Sequence, residues 1–557
     1  MTYDLKSVKM PRLAGGALKL LVNLMENPLT SGAIIPGLLR DAGILGLRDV
    51  VVDDAPTFAP FAPVPERSLG APPNLARVAQ IPSTQKGFAF ASIRDYAQAY
   101  RSGSTSPVQV ADQVLQAMAD SDLRTPPLRA FIAYSRDDVM AQARASAQRI
   151  KEGKPLSVIE GVPIAVKDES AMVPFGLTVG TKFLGKKPVT QDSTIVARLR
   201  AAGALLIGKT NMHEIGIGVT GLNPHHGTVR NPYNPAHHTG GSSSGSGAAV
   251  AAGLCPVAIG ADGGGSIRIP SALCGIVGLK TTYARISSFG SYPLCGSVDH
   301  YGPLAANAID AAIVYAIIAG ADALDPGTLN QPAITLDGIE RIDLTGLKLG
   351  VYRPWFEHAS SAMVDTCRQL IEGLEKLGAQ ICEIEIPELQ PASAAHVVTI
   401  ATEMIAAMEP YYAQHRADFG LDVRTNFALI RSLHARDYVH AQQIRTRTIA
   451  HFNRALSQVD AIVTPMTGVT APLIPENTLP AGESDLTTLS ELMRFATQAN
   501  LTGLPAITFP AGYDANGLPI GMQAIGRAWE EHVLLRLARA AETMVERRAP
   551  QVHYRLL

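Results

Sequence analysis

Three short segments of this chain carry residue types that support nucleophilic catalysis. A loop rich in serine and glycine covers residues 223–247, a run of three glycines ends at Ser266, and Lys167 closes an apolar segment. A serine hydroxyl attacks a carbonyl only when a base removes its proton, and a buried lysine can be that base because burial disfavours the ammonium form. The three glycines leave backbone N–H groups open to a developing oxyanion. Together, the segments predict a serine nucleophile served by a lysine base.

Other interpretations of these segments fit their surroundings less well. Residues 241–245 match the G-x-S-x-G nucleophile elbow around Ser243, but that elbow needs an apolar strand before it, and a polar loop stands there. Residues 83–86 match S-x-x-K, but they lie in a proline-rich stretch with no later Lys-Thr-Gly, and neither glycine cluster contains a phosphate-binding pattern. Two pairs of adjacent histidines, 225–226 and 237–238, lack a carboxylate or cysteine at ligand spacing. The sequence therefore predicts no metal site.

Helices and strands alternate around these segments, which predicts a layered α/β fold. Residues 161–168 are typical of a buried strand that ends in a charged pair. Ser106 and Pro107 suit an N-cap and the first position of a helix. The predicted helices cover residues 92–100, 106–118, 137–151 and 196–202, and a second strand covers residues 204–207.

The composition of the 557-residue chain fits a large globular body. Charged residues make up 17% and hydrophobic residues 46%, which argues against global disorder. Lys and Arg number 48 against 49 Asp and Glu, so the overall charge favours neither nucleic acid nor an anionic membrane as a partner. Five cysteines without a C-x-x-C pair indicate free thiols in a reducing compartment. No apolar run reaches 18 residues, so we expect a cytoplasmic protein without a transmembrane span.

Composition also divides the chain into three parts. Residues 1–54 are apolar and predict a helical extension, whereas residues 55–87 contain seven prolines and predict an extended connector. Residues 88–557 contain the regular alternation of helices and strands and form the predicted catalytic domain.

A predicted helix in the extension has one apolar face. Leu18, Leu21, Val22 and Met25 recur at i, i+3, i+4 and i+7. A signal peptide is the alternative, but Lys19 interrupts the apolar run and no A-x-A cleavage site follows. Because an exposed apolar face favours association, we expect the extension to cover the body or a second copy of the chain, and not to anchor in a bilayer.

Six motifs follow one another along the chain in a set order. They are GVPIAVKD (161–168), GKTNMHEIGIGVTGLNPHHGTVRNP (208–232), HTGGSSSGSGAAVAAGLCPVAIGADGGGSIRIPSALCGIVGLKTT (238–282), SVDHYGPLA (297–305), VDAIVTPMT (459–467) and NLTGLPAITFPAGYDANGLPIGMQAIG (500–526). In content and order they resemble the amidase signature family of serine hydrolases, over about residues 88–548. The resemblance implies that family's α/β fold, a large mixed twisted β-sheet covered by helices on both faces, here preceded by the N-terminal helical extension.

The resemblance implies a role for each candidate residue through its place in a motif. Ser266, in GGGSIRIP, matches the acyl-accepting nucleophile; Lys167 matches the ultimate base, and Ser242 the relay between them. In that family the relay serine lies on a cis peptide, here Gly241–Ser242, and no metal or organic cofactor is required. We expect the other serines of the loop to cap it.

The turn before Ser266 is the implied oxyanion hole. Its expected donors are the N–H groups of Gly263, Gly264, Gly265 and Ser266. We expect Asp262 and Arg268 to form an ion pair that supports the turn.

Two departures from the family pattern bear on the substrate. Ala261-Asp-Gly stands where the family commonly has Thr-Asp-Thr, which would open the pocket wall or loosen the turn. Residues 389–451 are weakly patterned against the family, and we expect substrate choice to reside there. This region carries a stripe of large side chains at Met404, Met408, Tyr411, Tyr412, Phe427 and Leu429.

Together these features predict a cofactor-independent hydrolase that cleaves the C–N bond of small-molecule carboxylic amides, with esters or carbamates as further substrates. Two alternatives stay open: the A-type component of a glutamine-dependent amidotransferase, and a non-catalytic binding scaffold. Net charge near zero and the added extension favour a stand-alone hydrolase, and the presence of Lys167, Ser242 and Ser266 argues against a scaffold. A homodimer formed through the extension is a further prediction.

Overall fold

A computed structural model of the protein describes residues 3–64 and 72–557. Within these ranges the strands are β1 (Leu13–Ala14), β2 (Lys86–Gly87), β3 (Phe131–Ala133), β4 (Pro163–Lys167), β5 (Leu205–Thr210), β6 (Arg230–Asn231), β7 (Asn234–His238), β8 (Val257–Ala261), β9 (Val277–Lys280), β10 (Tyr301–Ala305), β11 (Lys348–Val351), β12 (Gln380–Glu383), β13 (Ala461–Pro465), β14 (Glu483–Ser484), β15 (Ala506–Tyr513), β16 (Pro519–Gly526) and β17 (Glu546–Arg547). The helices are α1 (Gly15–Glu26), α2 (Ser31–Asp41), α3 (Leu75–Val78), α4 (Ile93–Ser102), α5 (Pro107–Leu123), α6 (Arg136–Lys151), α7 (Thr194–Ala201), α8 (Ser244–Ala251), α9 (Arg268–Leu273), α10 (Ala308–Ile318), α11 (Arg353–Phe356), α12 (Ser361–Lys376), α13 (Leu389–His415), α14 (Leu421–Ile430), α15 (Ala435–Leu456), α16 (Leu486–Met493), α17 (Thr497–Thr502) and α18 (Glu531–Glu542).

Eleven of these strands form one mixed sheet in the order β12-β11-β13-β16-β15-β9-β10-β8-β4-β5-β3. Strand β4 runs parallel to both of its neighbours, β5 and β8, and all three are buried along their full length. Burial on both faces accounts for their continuous apolar sequences. Because the carboxyl ends of parallel neighbours meet at one sheet edge, Lys167 at the end of β4 lies beside the residues that follow Ala261 at the end of β8.

Helices cover both faces of the sheet, as the sequence predicts. In β16, a methyl group added to Gly521 would meet Ala272 of α9, whereas one added to Gly526 would meet Leu534 of α18. Residues separated by an odd number of positions in a strand point to opposite faces, so α9 and α18 lie on opposite sides of the sheet. The fold class is therefore the predicted α/β arrangement of a large mixed sheet between helices.

The predicted helices and strands of the body are present, with ends that move by a few residues. Ser92 caps α4 in a reciprocal capping box with Asp95, and Ser106 caps α5, which begins at Pro107. Helix α5 continues to Leu123, five residues beyond its predicted end, because Leu115, Met118 and Ser121 stay buried against the body. The second predicted strand starts one residue later and extends to Thr210.

The N-terminal extension lies on the body of this chain. Leu18, Val22 and Met25 of α1 are buried and Leu21 is half-buried, which confirms the predicted apolar face. Glu26 accepts hydrogen bonds from Arg424 at 2.6 Å and from the Tyr412 hydroxyl at 2.9 Å. Strand β1 pairs with β14, and α1 packs against α14. Across the described ranges, no helix is both long enough and apolar enough to cross a membrane.

The proline-rich connector is described only in part, since residues 65–71 of the predicted range 55–87 lie outside the described residues. Its first part crosses α15: the Thr57 N–H donates to the carbonyl of Gln442, and Arg445 donates to the carbonyl of Phe58. The extension and this segment therefore lie against the helices of residues 389–451.

Candidate active site

Lys167 is a buried side chain at the carboxyl end of β4. Its Nζ lies 2.9 Å from Ser242 Oγ, 3.3 Å from the carbonyl oxygen of Ala261 and 2.7 Å from Glu169 Oε2. Only 2% of the lysine side chain and 3% of the glutamate side chain are exposed. The structure thus brings together the lysine and one of the two serines that the sequence selects.

Strand alternation explains which carboxylate accompanies Lys167. Asp168 points to the other side of the strand and pairs with Lys209 at 3.2 Å, so the alternative pairing of Lys167 with Asp168 at an exposed strand end is wrong. Glu169, two residues after the lysine, returns to the same side. This i, i+2 spacing could have identified Glu169 from the sequence, but sequence analysis missed it.

Ser242 lies in the loop between β7 and α8. The Gly241–Ser242 peptide is cis, in agreement with the resemblance. The Ser242 carbonyl accepts a hydrogen bond from the His213 N–H at 3.2 Å, and Gly216 approaches the Ser242 hydroxyl so closely that an added methyl would lie 3.4 Å from it. The loop after β5 therefore forms a wall beside the relay serine.

The other serines of this loop hold the backbone in place. Ser243 Oγ donates to the carbonyl of Ala261, and Ser246 Oγ donates to the carbonyl of Ile259. Ser244 Oγ lies 3.4 Å from the carbonyl oxygen of Asn211. These contacts fit the predicted capping role and tie α8 to β8 and to the end of β5.

Ser266 lies at the turn between β8 and α9, and 5% of the residue is exposed. Its carbonyl accepts a hydrogen bond from the Ser243 N–H at 3.2 Å, which places it beside the serine loop. The turn that carries Ser266 is therefore next to Ser242, at the sheet edge where β4 ends.

The glycine turn differs from expectation at Gly265. Its N–H donates to Asp262 Oδ1 at 2.6 Å and so is not available to an oxyanion. Gly265 has a φ of +119°, and an added methyl would overlap Ile269, so this glycine is required for the turn itself. Within the described residues, the N–H groups of Gly263, Gly264 and Ser266 donate to no protein acceptor.

Close packing explains the two other glycines. A methyl on Gly263 would lie 2.8 Å from Cys295 Sγ and 3.1 Å from Ile400, and one on Gly264 would lie 2.8 Å from His396 and 3.1 Å from Met493. The helices α13 and α16 thus reach the turn directly.

Asp262 and Arg268 form the predicted ion pair behind the turn. The guanidinium binds the carboxylate through two contacts of 3.0 Å, and both side chains are fully buried. Burial alone would raise the pKa of Asp262, but the charge and hydrogen bonds of Arg268 outweigh burial and hold this pKa below its usual range. Asn500 donates to both the Asp262 carboxylate and its backbone carbonyl, and Gln523 accepts from Arg268 at 2.5 Å. The pair is therefore a fixed anionic anchor for the turn.

His396 is a contact that sequence analysis missed. From α13, its Nε2 lies 2.7 Å from the carbonyl oxygen of Gly263. Burial lowers the pKa of His396 to about 4, so the ring is neutral near pH 7 and its Nε2–H donates this bond. No spacing or motif in residues 389–451 distinguishes this histidine from one buried in a core.

The histidine pairs of the sequence point apart. His225 pairs with Glu214 at 2.8 Å, and His226 contacts the carbonyl of Thr181. His237 contacts the carbonyl of Ala471. In the part of the chain that the structure describes, no group of three or more His, Cys, Asp or Glu residues is arranged to hold a metal ion.

A mostly apolar cavity of about 170 Å³ lies beside the glycine turn. We call it the apolar cavity. Its wall comes from the extension, from α13 and from α16, and includes Leu5, Val8, Ile44, Val397, Leu489 and Met493. Because Met493 also approaches Gly264, the cavity begins next to the turn that carries Ser266.

Comparisons with known proteins agree on the kind of chain this is. The Amidase family model matches residues 113–535. A fatty acid amide hydrolase of Oryza sativa subsp. indica is 40% identical over 100% of this chain and 96% of its own length. The A-type component of a glutamyl-tRNA(Gln) amidotransferase from Roseiflexus castenholzii is 36% identical over 81% of this chain and 95% of its own. The structure of a peptide amidase from Stenotrophomonas maltophilia superposes with a TM-score of 0.72, at 29% identity, over 83% of this chain and 98% of that one.

Proposed function

This chain belongs to the amidase family and is an amide-hydrolysing enzyme, and we propose that it works through an acyl-enzyme on Ser266 with Ser242 and Lys167 as the proton relay. The observation that carries the proposal is the buried contact of 2.9 Å between Lys167 Nζ and Ser242 Oγ, next to the turn that holds Ser266. Neither a metal nor an organic cofactor is part of this mechanism.

The first half of the reaction forms the acyl-enzyme. The neutral Lys167 amine takes the Ser242 proton as Ser242 takes the proton of Ser266, whose oxygen attacks the amide carbonyl. The N–H groups of Gly263, Gly264 and Ser266 are placed to stabilise the oxyanion, whereas Gly265 is committed to Asp262. As the tetrahedral intermediate collapses, the relay returns the proton to the leaving nitrogen, and the C–N bond breaks.

The second half repeats the chemistry with water. The leaving amine departs with the proton that Lys167 had held, so the lysine is again neutral and can accept a proton from water through Ser242. Hydroxide adds to the acyl carbon, the bond to Ser266 Oγ breaks, and the relay protonates the serine. The carboxylic acid is released and the enzyme returns to its starting state.

We propose fatty acyl amides as the substrate class. Support comes from the fatty acid amide hydrolase relative, which matches 100% of this chain, extension included, and from the apolar cavity, which the extension helps to line. The amidotransferase relative matches 81% of the chain, which favours the stand-alone hydrolase over the amidotransferase component.

The three-part division also remains our proposal: extension 1–54, connector 55–87 and catalytic domain 88–557. We further propose a cytoplasmic location, for which the free cysteines Cys255, Cys274, Cys295, Cys367 and Cys382 give support. A homodimer through the extension is supported by Leu20 and Leu29, which are exposed on it. Sedimentation of the full chain tests the dimer, and removal of residues 1–80 should abolish it.

Labelling with a fluorophosphonate tests the nucleophile. Peptide mapping should find the adduct on Ser266, and an adduct on Ser243 instead would restore the nucleophile-elbow interpretation. A series of primary amides from short to long acyl chains tests the substrate class, because the proposal requires kcat/KM to rise with chain length as each buried methylene adds about 0.8 kcal/mol. A flat series would contradict fatty acyl amides while leaving amide hydrolysis intact.

A further inference from the structure

A carboxylate lies against the relay on the side away from Ser242. Glu169 Oε2 is 2.7 Å from Lys167 Nζ, and both side chains are almost fully buried. A neutral amine has two N–H donors and one lone pair. With the carbonyl of Ala261 at 3.3 Å and Glu169 at 2.7 Å as acceptors for the two N–H groups, the lone pair is left for the Ser242 hydroxyl at 2.9 Å.

A second acid supports Glu169 from behind. Asp299 forms a side-chain hydrogen bond with Glu169, and the Tyr301 hydroxyl donates to Asp299 at 3.0 Å. Burial, and next the charge of Glu169, raise the pKa of Asp299 well above its usual range, so Asp299 carries a proton and is the donor to Glu169.

The other titratable groups around Glu169 add little charge. They are Tyr301, Cys295 and Lys209. Burial raises the pKa of the phenol and of the thiol well above their usual values, so both are neutral near pH 7. Lys209 is paired with Asp168 at 3.2 Å. Lys167 is therefore the partner that faces the Glu169 charge directly.

We propose that Glu169 is a positioning residue for amide hydrolysis: it holds one N–H of the neutral Lys167 amine, directs the lone pair to Ser242, and sets the pH at which that amine becomes available. The inference rests on the proposed role of Lys167 as the base. Asp299 acts in turn through Glu169, because a proton donated to the carboxylate weakens its hold on the lysine proton.

The direction of the pH effect follows from charge. A carboxylate beside an amine favours the ammonium form, so its removal lets the neutral amine exist at lower pH. In Glu169→Gln the amide oxygen still accepts the N–H, and only the charge is lost. Asp299→Asn is the matched control, since the amide keeps a neutral donor to Glu169 and removes no charge.

The experiment is the pH profile of kcat/KM on a long-chain primary amide for the wild type and both variants. The acid limb of Glu169→Gln should move to lower pH by about one unit, and that of Asp299→Asn should move by less than about 0.3 units. An unmoved limb in Glu169→Gln, or equal shifts in both variants, would overturn the proposal.

Two further variants separate orientation from charge and this inference from the proposed function. Glu169→Leu loses the acceptor as well, and kcat should fall roughly 100-fold with KM nearly unchanged, while the circular dichroism spectrum stays native. Full activity in Glu169→Leu would contradict the positioning role. If Lys167→Ala kept its rate, the proposed base itself would fail; if it is inactive, an unmoved limb in Glu169→Gln overturns only the role of Glu169.

Discussion

The catalytic centre and the apolar cavity beside it are built in different ways. The centre comes from three segments that end or follow neighbouring strands of the sheet, so Lys167, Ser242 and the turn of Ser266 meet at one sheet edge. The apolar cavity comes from segments that are far apart in sequence, from Leu5 in the extension to Met493 in α16. Short motifs determine the first region, whereas the packing of the whole chain determines the second.

His396 and Glu26 connect the two regions. His396 reaches from α13 to the carbonyl of Gly263, and Glu26 holds the extension to Arg424 of α14. A change in the helical wall can therefore reach the oxyanion turn through one hydrogen bond. Substitutions in each region should separate effects on chemistry, on stability and on substrate choice.

The largest effect is expected in the relay. Ser266→Ala and Lys167→Ala should each lower kcat at least roughly 10³-fold, because residues that act as one unit are lost together. Steady-state kinetics checks this, with native circular dichroism as the control for folding. Ser243→Ala is the matched variant, and we expect it to keep the rate within about 10-fold. A loss in Ser243→Ala as deep as that in Ser266→Ala would contradict the assignment.

The next effect concerns the anchor of the turn. Arg268→Gln leaves Asp262 buried without its partner, which should lower the free energy of unfolding by about 3–5 kcal/mol. Urea denaturation measures the change. The matched control is Arg136→Gln, which breaks an ion pair with Asp112 whose side chains are both about 60% exposed, and it should cost no more than about 1 kcal/mol. Equal costs in the two variants would show that burial of the pair is unimportant.

A smaller effect is expected from the link between the regions. His396→Phe removes the donor to the Gly263 carbonyl, and kcat should fall about 10-fold with KM little changed, because the oxyanion donors lose their support. His396→Gln keeps an N–H donor and should recover most of the rate. A rise in KM without a fall in kcat would assign His396 to substrate binding instead.

The same histidine makes stability depend on pH. Its pKa is about 4 in the folded protein and near 6.5 in an unfolded chain, so below pH about 6.5 the unfolded chain binds a proton that the folded protein does not. The wild type should therefore lose stability relative to His396→Gln as pH falls from about 6.5 to 4. Thermal melts of both proteins across this range check the sign, and parallel curves would rule out the buried neutral ring.

The smallest effect is expected in the cavity wall. Val397→Phe reduces the apolar cavity and should shift the preferred acyl chain to shorter lengths by one or two methylenes, about 4-fold in kcat/KM for each, with short amides unaffected. Leu20→Phe, at an exposed position of α1, is the control and should leave the series unchanged. An unchanged series in Val397→Phe would move the acyl chain out of this cavity.

The same division explains what the sequence could predict. The alternation around 161–210 predicted the fold class, and motif positions placed Lys167, Ser242 and the Asp262–Arg268 pair, because each lies within a short segment that one strand or turn positions. Gly265 was assigned as a donor because a motif does not show which N–H a neighbouring carboxylate uses. His396, Asp299 and the lining of the apolar cavity depend on contacts between distant segments, for which one sequence contains no local signal.

Trapping of the acyl-enzyme tests the central claim most directly. The enzyme is mixed with a long-chain amide, quenched in acid during the first turnovers and mapped by mass spectrometry. The account predicts one acyl group on the peptide that contains Ser266, present in the wild type and absent in Ser266→Ala and Lys167→Ala. An acyl group on another serine, or the same yield on Ser266 in Lys167→Ala, would contradict it.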